Sequence, residues 1–240
     1  MGSRVFLDID IGDPAEYAEQ LAQYTRAGEY LASVGMQLGL PQQAPESLDE
    51  EQQQLLLEAY SADRQWSSKG PAACIKPVPL RAGRLVIQLM EAECPRTCAN
   101  FKALATGEKG VGKASKKPLH YKGNRMHRIV KSFCAQGGDI VRGDGSGGDS
   151  IYGGVFNDEK KGLGMKHDRL GVVAMANSGK NSNTSQFFIT LGPAPQCDGK
   201  HVVFGMVVEG MEVLHRLNEE AASEDGTPRV VVTVADCGLC

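Results

Sequence analysis

The stretch Gly171-Val172-Val173-Ala174-Met175-Ala176-Asn177-Ser178-Gly179-Lys180-Asn181-Ser182-Asn183-Thr184-Ser185-Gln186-Phe187-Phe188-Ile189-Thr190-Leu191 holds two short apolar runs separated by a polar segment rich in Asn, Ser and Gly. Both runs are short and bounded by turn-prone residues, so each reads as a strand. The same grammar recurs on either side. Leu85–Met90, Ile129–Phe133, Val202–Val208 and Val230–Val234 are brief and apolar. Glycine supplies 29 of the 240 residues, which provides the turns such a chain needs. Two helices are expected here: Pro95–Ala105, with Asn100, Phe101 and Leu104 on one face, and Glu212–Asn218. Many short strands with few helices predict an antiparallel barrel or sandwich.

Nearer the N-terminus the pattern changes. Arg4–Asp10 alternates and reads as a strand, but Asp13-Pro14-Ala15-Glu16 is a helix start with Asp13 as N-cap and Glu16 as its reciprocal partner. Tyr17, Leu21, Tyr24, Leu31 and Leu38 continue that helix toward Gly39, the expected stop. Ser47-Leu48-Asp49-Glu50 reads as a second capping box, opening a Gln/Leu-rich helix to about Tyr60. The two make an αα-hairpin, and Trp66–Pro79 a linker. The division that follows is one domain from residues 4–12 and 80–240, with residues 13–79 as an inserted helical hairpin and linker.

Composition narrows the function. A formal charge of −3 gives no field to steer the chain toward nucleic acid or an anionic membrane. Asp8, Asp10 and Asp13 fall where a secretion signal needs an unbroken apolar stretch, and no run approaches the roughly 18 apolar residues of a membrane span. Seven scattered cysteines, an odd number, suit free thiols in a reducing compartment, the cytoplasm or nucleus.

Several motifs fail on inspection. Gly107–Ala114 nearly spells a phosphate loop, but Ala114 has no hydroxyl for magnesium and a helix precedes it. Gly143-Asp144-Gly145-Ser146-Gly147-Gly148 lacks the βαβ context of a dinucleotide site and reads as a tight, flexible loop. Cys94/Cys98 and Cys237/Cys240 have no histidine pair at zinc spacing, and Ser185 sits in no nucleophile elbow. The expectation is no cofactor and no metal.

What remains is an ordered set of blocks: Met126-His127-Arg128-Ile129, Phe133-Cys134-Ala135-Gln136-Gly137-Gly138-Asp139, Ala174-Met175-Ala176-Asn177-Ser178, Asn183–Thr190, and Asp198-Gly199-Lys200-His201-Val202-Val203-Phe204-Gly205. Together they resemble the cyclophilins, peptidyl-prolyl cis/trans isomerases, in order and spacing. The likeness takes in Arg4–Gly12 and Ala82–Gly238. It implies a mainly β fold, a closed eight-stranded antiparallel β-barrel capped by two α-helices, with a binding groove on the outside. It also implies proline-containing peptides and client proteins as partners. Carried over, Arg128 is the catalytic arginine, acting with Phe133 and Gln136. Phe133, Phe188 and His201 form the proline pocket. Cys134, Ala176, Asn177, Ser178, Gln186, Gln196 and Cys197 complete the substrate contacts.

The residue types suit that chemistry. Amide resonance raises a barrier of roughly 18–20 kcal/mol to turning an Xaa–Pro bond. A donor placed on the prolyl nitrogen as it turns pyramidal removes that resonance, with neither nucleophile nor metal. A guanidinium is charged and aims its donors from a rigid plane. A proline-binding scaffold without turnover is the competing reading, and it has less need of Arg128. Direct RNA binding through the acidic, Gln-rich insertion is disfavoured.

Three departures from the family pattern carry expectations. Gln196 stands where an exposed tryptophan is usual, so cyclosporin binding should weaken while isomerisation persists. Cys134 replaces a methionine and leaves one pocket wall smaller. Lys113–His120 lengthens a loop as in the divergent-loop cyclophilins, with Asp149 as the acidic residue that pins it. Ala105 replaces the cysteine that would pair with Cys237, which argues against a disulfide switch. Residues 13–79 have no family counterpart and are read as a docking module for a protein partner.

Overall fold

The structure, a computed structural model, describes residues 2–240. In chain order its elements are β1 (Arg4–Ile11), α1 (Pro14–Val34), α2 (Glu50–Ala62), α3 (Arg64–Ser67), β2 (Arg81–Leu89), α4 (Pro95–Thr106), β3 (Arg128–Val130), β4 (Cys134–Gly137), α5 (Lys160–Leu163), β5 (Val172–Met175), β6 (Phe187–Thr190), β7 (Val203–Glu209), α6 (Met211–Arg216) and β8 (Val232–Leu239). The chain divides into two compact units. One comprises residues 2–11 with Arg81–Cys240, the other Gly12–Leu80. Among the described residues no helix is long and apolar enough to cross a membrane.

The larger unit is a single eight-stranded sheet in the order β3-β4-β6-β5-β7-β2-β1-β8. Every strand pairing in it is antiparallel. Alternation explains its layering. Val5, Leu7, Ile9 and Ile11 of β1 point inward with Leu85, Ile87 and Leu89 of β2, and α4 lays Cys98, Phe101, Leu104 and Ala105 on the same core. Phe101 meets Phe187 edge-on with ring centroids 5.2 Å apart. Helix α4 starts with Pro95 in its first turn and stops at Gly107, whose φ of +70° a side chain would strain. Two additions depart from the expected pair of helices: α5 is a third, four-residue helix, and α6 runs on into a π-turn at Leu217–Ala221.

Closure of the expected barrel is only partial. Edge strands β3 and β8 form no ladder with each other. The segment just before β3 reaches β8 instead. Gly123 N–H donates to Val234 O at 2.7 Å, Val234 N–H to Asn124 O at 2.9 Å, and Met126 N–H to Val232 O at 2.9 Å. The last strand also starts later than Val230–Val234 suggests and extends to Leu239. Strand β4 was not expected at all, because Cys134-Ala135-Gln136-Gly137 contains no β-branched residue.

The smaller unit has its own core of Tyr30, Leu31, Leu40, Leu48, Leu56, Tyr60 and Cys74. Tyr30 and Tyr60 meet edge-on at 5.3 Å. Asp13 caps α1 by accepting from Ala15 N–H and Glu16 N–H, but the Glu16 side chain closes no capping box. The helix ends at Val34, not Gly39, which lies in the following turn at φ +72°. The second box is displaced by two residues. Ser47 belongs to a 3-10 turn, and Asp49 is the true cap, exchanging hydrogen bonds with Gln52 at 2.8 and 3.2 Å. Part of the expected linker is helical, as α3 takes up Arg64–Ser67.

Candidate active site

Strand register assembles the site. Across β3 and β4 Arg128 stands opposite Gln136; across β4 and β6 Gln136 stands opposite Phe188; across β6 and β5 Phe188 stands opposite Ala174. Directly opposed residues share a face, so these four form a row on the outside of the sheet. Their chain neighbours Ile129, Ala135, Phe187, Ile189 and Val173 point the other way into the core. The outer row sits on a second apolar cluster of Cys134, Val172, Ala174, Ala176, Phe188, Ala194, Cys197 and Val203, with Phe133 packed beside it.

The tight turn from β3 to β4, with Ser132 at φ +55°, brings Phe133 under the arginine. The Arg128 guanidinium carbon lies 5.7 Å from the Phe133 ring centroid, and Nη1 is 3.6 Å from Cys134 Sγ. Burial pushes the Cys134 thiol up to about 11, against the opposing pull of Arg128. Phe188, only 4% exposed, packs within the outer apolar cluster. His201 meets it edge-on at 5.3 Å and donates from Nδ1 to Met175 O at 2.9 Å. Burial lowers the His201 pKa below its ordinary value, so the ring is neutral near pH 7 and Nδ1 carries its proton.

Beside this cluster, sharing Gln136 and Ala176 with the site, lies a cavity of about 340 Å³ lined by Gln136, Ala176, Asn177, Ser178, Gln186, Val155 and the loop Gly145–Gly148. The Gln136 Nε2 donates to Gln186 Oε1 at 2.9 Å, and Gln186 Nε2 donates to Gly145 O and Gly147 O at 2.8 and 2.6 Å. Asn177 spends its side chain on its own loop, donating to Lys200 O and accepting from Gly179 N–H. Among the described residues its backbone N–H and C=O make no hydrogen bond, which leaves them for a ligand. Ser178 N–H is taken by Ser182 Oγ. Cys197 is buried in the apolar cluster, and Gln196 next to it is exposed on the 3-10 turn Pro195–Cys197.

The structure therefore gathers Arg128, Phe133, Cys134, Gln136, Phe188, Cys197 and His201 on one face. It sets Ala176, Asn177, Ser178 and Gln186 around the adjoining cavity, with Gln196 on an exposed turn. Sequence reasoning missed His167. Fully buried, His167 stacks on Phe188 with centroids 5.7 Å apart and ring planes 17° apart, and its backbone N–H and Nδ1 both bond Asp198 Oδ1. Those bonds hold the Asp198 carboxyl down to about 2. Nothing in the local pattern at Lys166-His167-Asp168 marks it.

The loop read as flexible is held from both sides. Asp139 accepts Gly145 N–H and Gly147 N–H at 2.9 and 3.0 Å, while Gln186 takes the carbonyls of the same residues. Burial pushes the Asp139 carboxyl up, but its four backbone donors outweigh this and keep it below the ordinary range. Asp149 accepts from Ser115 N–H and Oγ–H of the lengthened loop at 2.9 and 2.6 Å. All seven cysteines are free. Among the described residues no group of three or more His, Cys, Asp and Glu could hold a metal ion.

An exposed cation bordering an aromatic cluster, on the outer face of an antiparallel sheet with a polar cavity alongside, defines the class of site. The family profile described as cyclophilin type peptidyl-prolyl cis-trans isomerase/CLD matches residues 78–239. The chain belongs to the cyclophilin-type peptidyl-prolyl cis-trans isomerase family. It is 51% identical over 158 residues to peptidyl-prolyl cis-trans isomerase cyp11 of Rhizopus delemar, covering 66% of this chain and 46% of that protein. It is 51% identical over 156 residues to peptidyl-prolyl cis-trans isomerase 9 of Caenorhabditis elegans, covering 65% and 50%. With the NK-tumor recognition protein of Mus musculus it shares 50% identity over 157 residues, 65% of this chain but 11% of that protein. The chain thus spans half the length of these curated relatives or less.

Proposed function

We propose that this chain catalyses cis/trans interconversion of Xaa–Pro bonds in peptides and proteins, assisting the folding or switching of its clients. The observation that supports this most directly is the register that sets Arg128, Gln136 and Phe188 side by side on one exposed face. The prolyl ring rests on Phe188 between Phe133 and His201. Arg128 donates to the prolyl nitrogen as it turns pyramidal, and the Asn177 backbone and Gln136 amide hold the chain before the proline. No bond to carbon breaks.

A rate gain on the order of 10⁵ requires about 7 kcal/mol of preferential binding to the twisted amide. One charge-assisted hydrogen bond contributes about 1.5–3 kcal/mol. The remainder falls to desolvation in the apolar recess and to positioning by the Gln136–Gln186 network.

The same reading assigns residues 4–12 and 80–240 to the isomerase domain, a barrel whose closure is supported in part by the bonds between residues 123–126 and β8. It assigns residues 13–79 to a protein-docking role, supported by their separate core, and a reducing compartment, the cytoplasm or nucleus, to the protein. Cyclosporin binds weakly, because the exposed Gln196 offers no ring at the groove's rim. A cis-to-trans peptide assay tests the central claim. The wild type is expected to exceed the uncatalysed rate, with Arg128→Ala slower by at least about tenfold. A wild type no faster than the blank overturns the activity, and equal rates for the two proteins overturn the role of Arg128.

A further inference from the structure

The chain carries eleven prolines, and their surroundings decide which imide bonds another molecule could grip. Pro14 and Pro95 open helices, and Pro45 and Pro195 open 3-10 turns. Other prolines are tied by hydrogen bonds at or beside them. Arg26 Nε donates to Pro71 O at 2.6 Å, Pro41 O accepts Gln43 N–H, and Pro118 bridges to Val111. Residues on either side of Pro193 donate to Phe133 O and His167 O, and Arg229 after Pro228 donates to Ala221 O.

Residues 75–80, Ile75-Lys76-Pro77-Val78-Pro79-Leu80, differ from all of these. Among the described residues none of the six makes a backbone–backbone hydrogen bond. Ile75 and Val78 are 79% and 75% exposed. Pro77 is buried, whereas Pro79 is exposed. Val78–Pro79 is therefore an open imide bond after an exposed apolar residue, within a segment that spends no backbone group on the fold. A groove that holds an extended peptide on both sides of a proline needs such a segment. An unrestrained Xaa–Pro bond differs by only about 0.5–1 kcal/mol between isomers and interconverts in tens to hundreds of seconds unaided. It is the kind of bond an isomerase acts on.

Reach decides whose groove it meets. Pro79 is two residues from Arg81, the first residue of β2, and so stays within about 7 Å of it. Phe188 lies on β6, three strands from β2, or about 14 Å at ordinary strand spacing. The bond cannot enter its own recess.

We propose that a second copy of this chain is a substrate, the groove of one copy taking the Val78–Pro79 bond of another and hastening its isomerisation. This rests on the isomerase reading above. Exchange spectroscopy tests it on full-length Arg128→Ala chain labelled with ¹³C-proline, to which unlabelled wild type is added in catalytic amount. The Pro79→Ala variant identifies the Pro79 resonances. The expected result is that exchange between the two Pro79 isomers accelerates at least about tenfold, in proportion to added wild type. Two results overturn it: a single Pro79 isomer, or exchange unmoved by wild type that speeds a free Xaa–Pro peptide in the same tube. Wild type inert toward that peptide as well removes the isomerase reading together with this one.

Discussion

Replacing Gln186 with leucine cuts one amide that joins two parts of the site. Its Nε2 donates to Gly145 O and Gly147 O, its Oε1 accepts from Gln136, and the side chain is only 8% exposed. Each such bond contributes about 1 kcal/mol net, so the three together are worth about 3 kcal/mol. Leucine returns about 1 kcal/mol through apolar burial, leaving a loss of about 2 kcal/mol. For a chain of this length that lowers Tm by about 4–8 °C. The loop does not detach, because Asp139 still holds Gly145 and Gly147 by their N–H groups. It loosens instead, so amide exchange at Gly145 and Gly147 should quicken. With Gln136 no longer oriented, kcat/KM for a proline peptide should fall about tenfold, or about 1.4 kcal/mol. Gln136→Ala is the control. It breaks one bond of the three, so it should match the activity loss with less than half the Tm shift. Calorimetry with hydrogen exchange decides. A Gln186→Leu protein melting within about 1 °C of wild type, with unaltered exchange at both glycines, refutes the network's role.

Stability should fall on acidification through the histidine range. Burial holds both His127 and His201 below their ordinary values, so the unfolded chain protonates first, near pH 6.5, and stability rises with pH there. A Tm that stays flat or climbs as pH drops from about 7 to 5 contradicts this. Gln196→Trp should tighten cyclosporin binding at least about tenfold, read by titration calorimetry, and unchanged affinity argues against a ring at that turn as the missing contact. Native protein should show one fast thiol, the exposed Cys240, since burial pushes Cys94, Cys98 and Cys237 up to about 12. A second fast thiol, or a Cys237 disulfide that reversibly switches activity, would overturn that expectation.

Local pattern made much of the architecture legible. Strands β1, β2, β5, β6 and β7 and helix α4 lie within a few residues of where apolar alternation and the Pro95 start place them. Strand β4 escaped because its small and polar residues form a strand only when β3 and β6 flank it. The cap of α2 moved from Ser47 to Asp49 because the Pro45–Ser47 turn takes Ser47 first, its carbonyl accepting from Gln43 Nε2. The Gly143–Gly148 segment looks slack in sequence, since its restraints come from Asp139 and from Gln186, some forty residues farther along the chain.

By itself the sequence determined which residue types are present and, through period-two alternation, which of them leave the core. Arg128, Gln136 and Phe188 it singled out only through the ordered blocks of the family resemblance, because β4 carries no strand pattern of its own. Only tertiary structure decided that those positions are neighbours, because register between strands sixty residues apart depends on the whole sheet curling around one core. The same long-range packing brought His167 behind Phe188 and left Val78–Pro79 without a partner. Side-chain chemistry is written residue by residue, whereas proximity is a collective outcome of burying apolar surface while every strand's backbone finds a hydrogen-bonding partner.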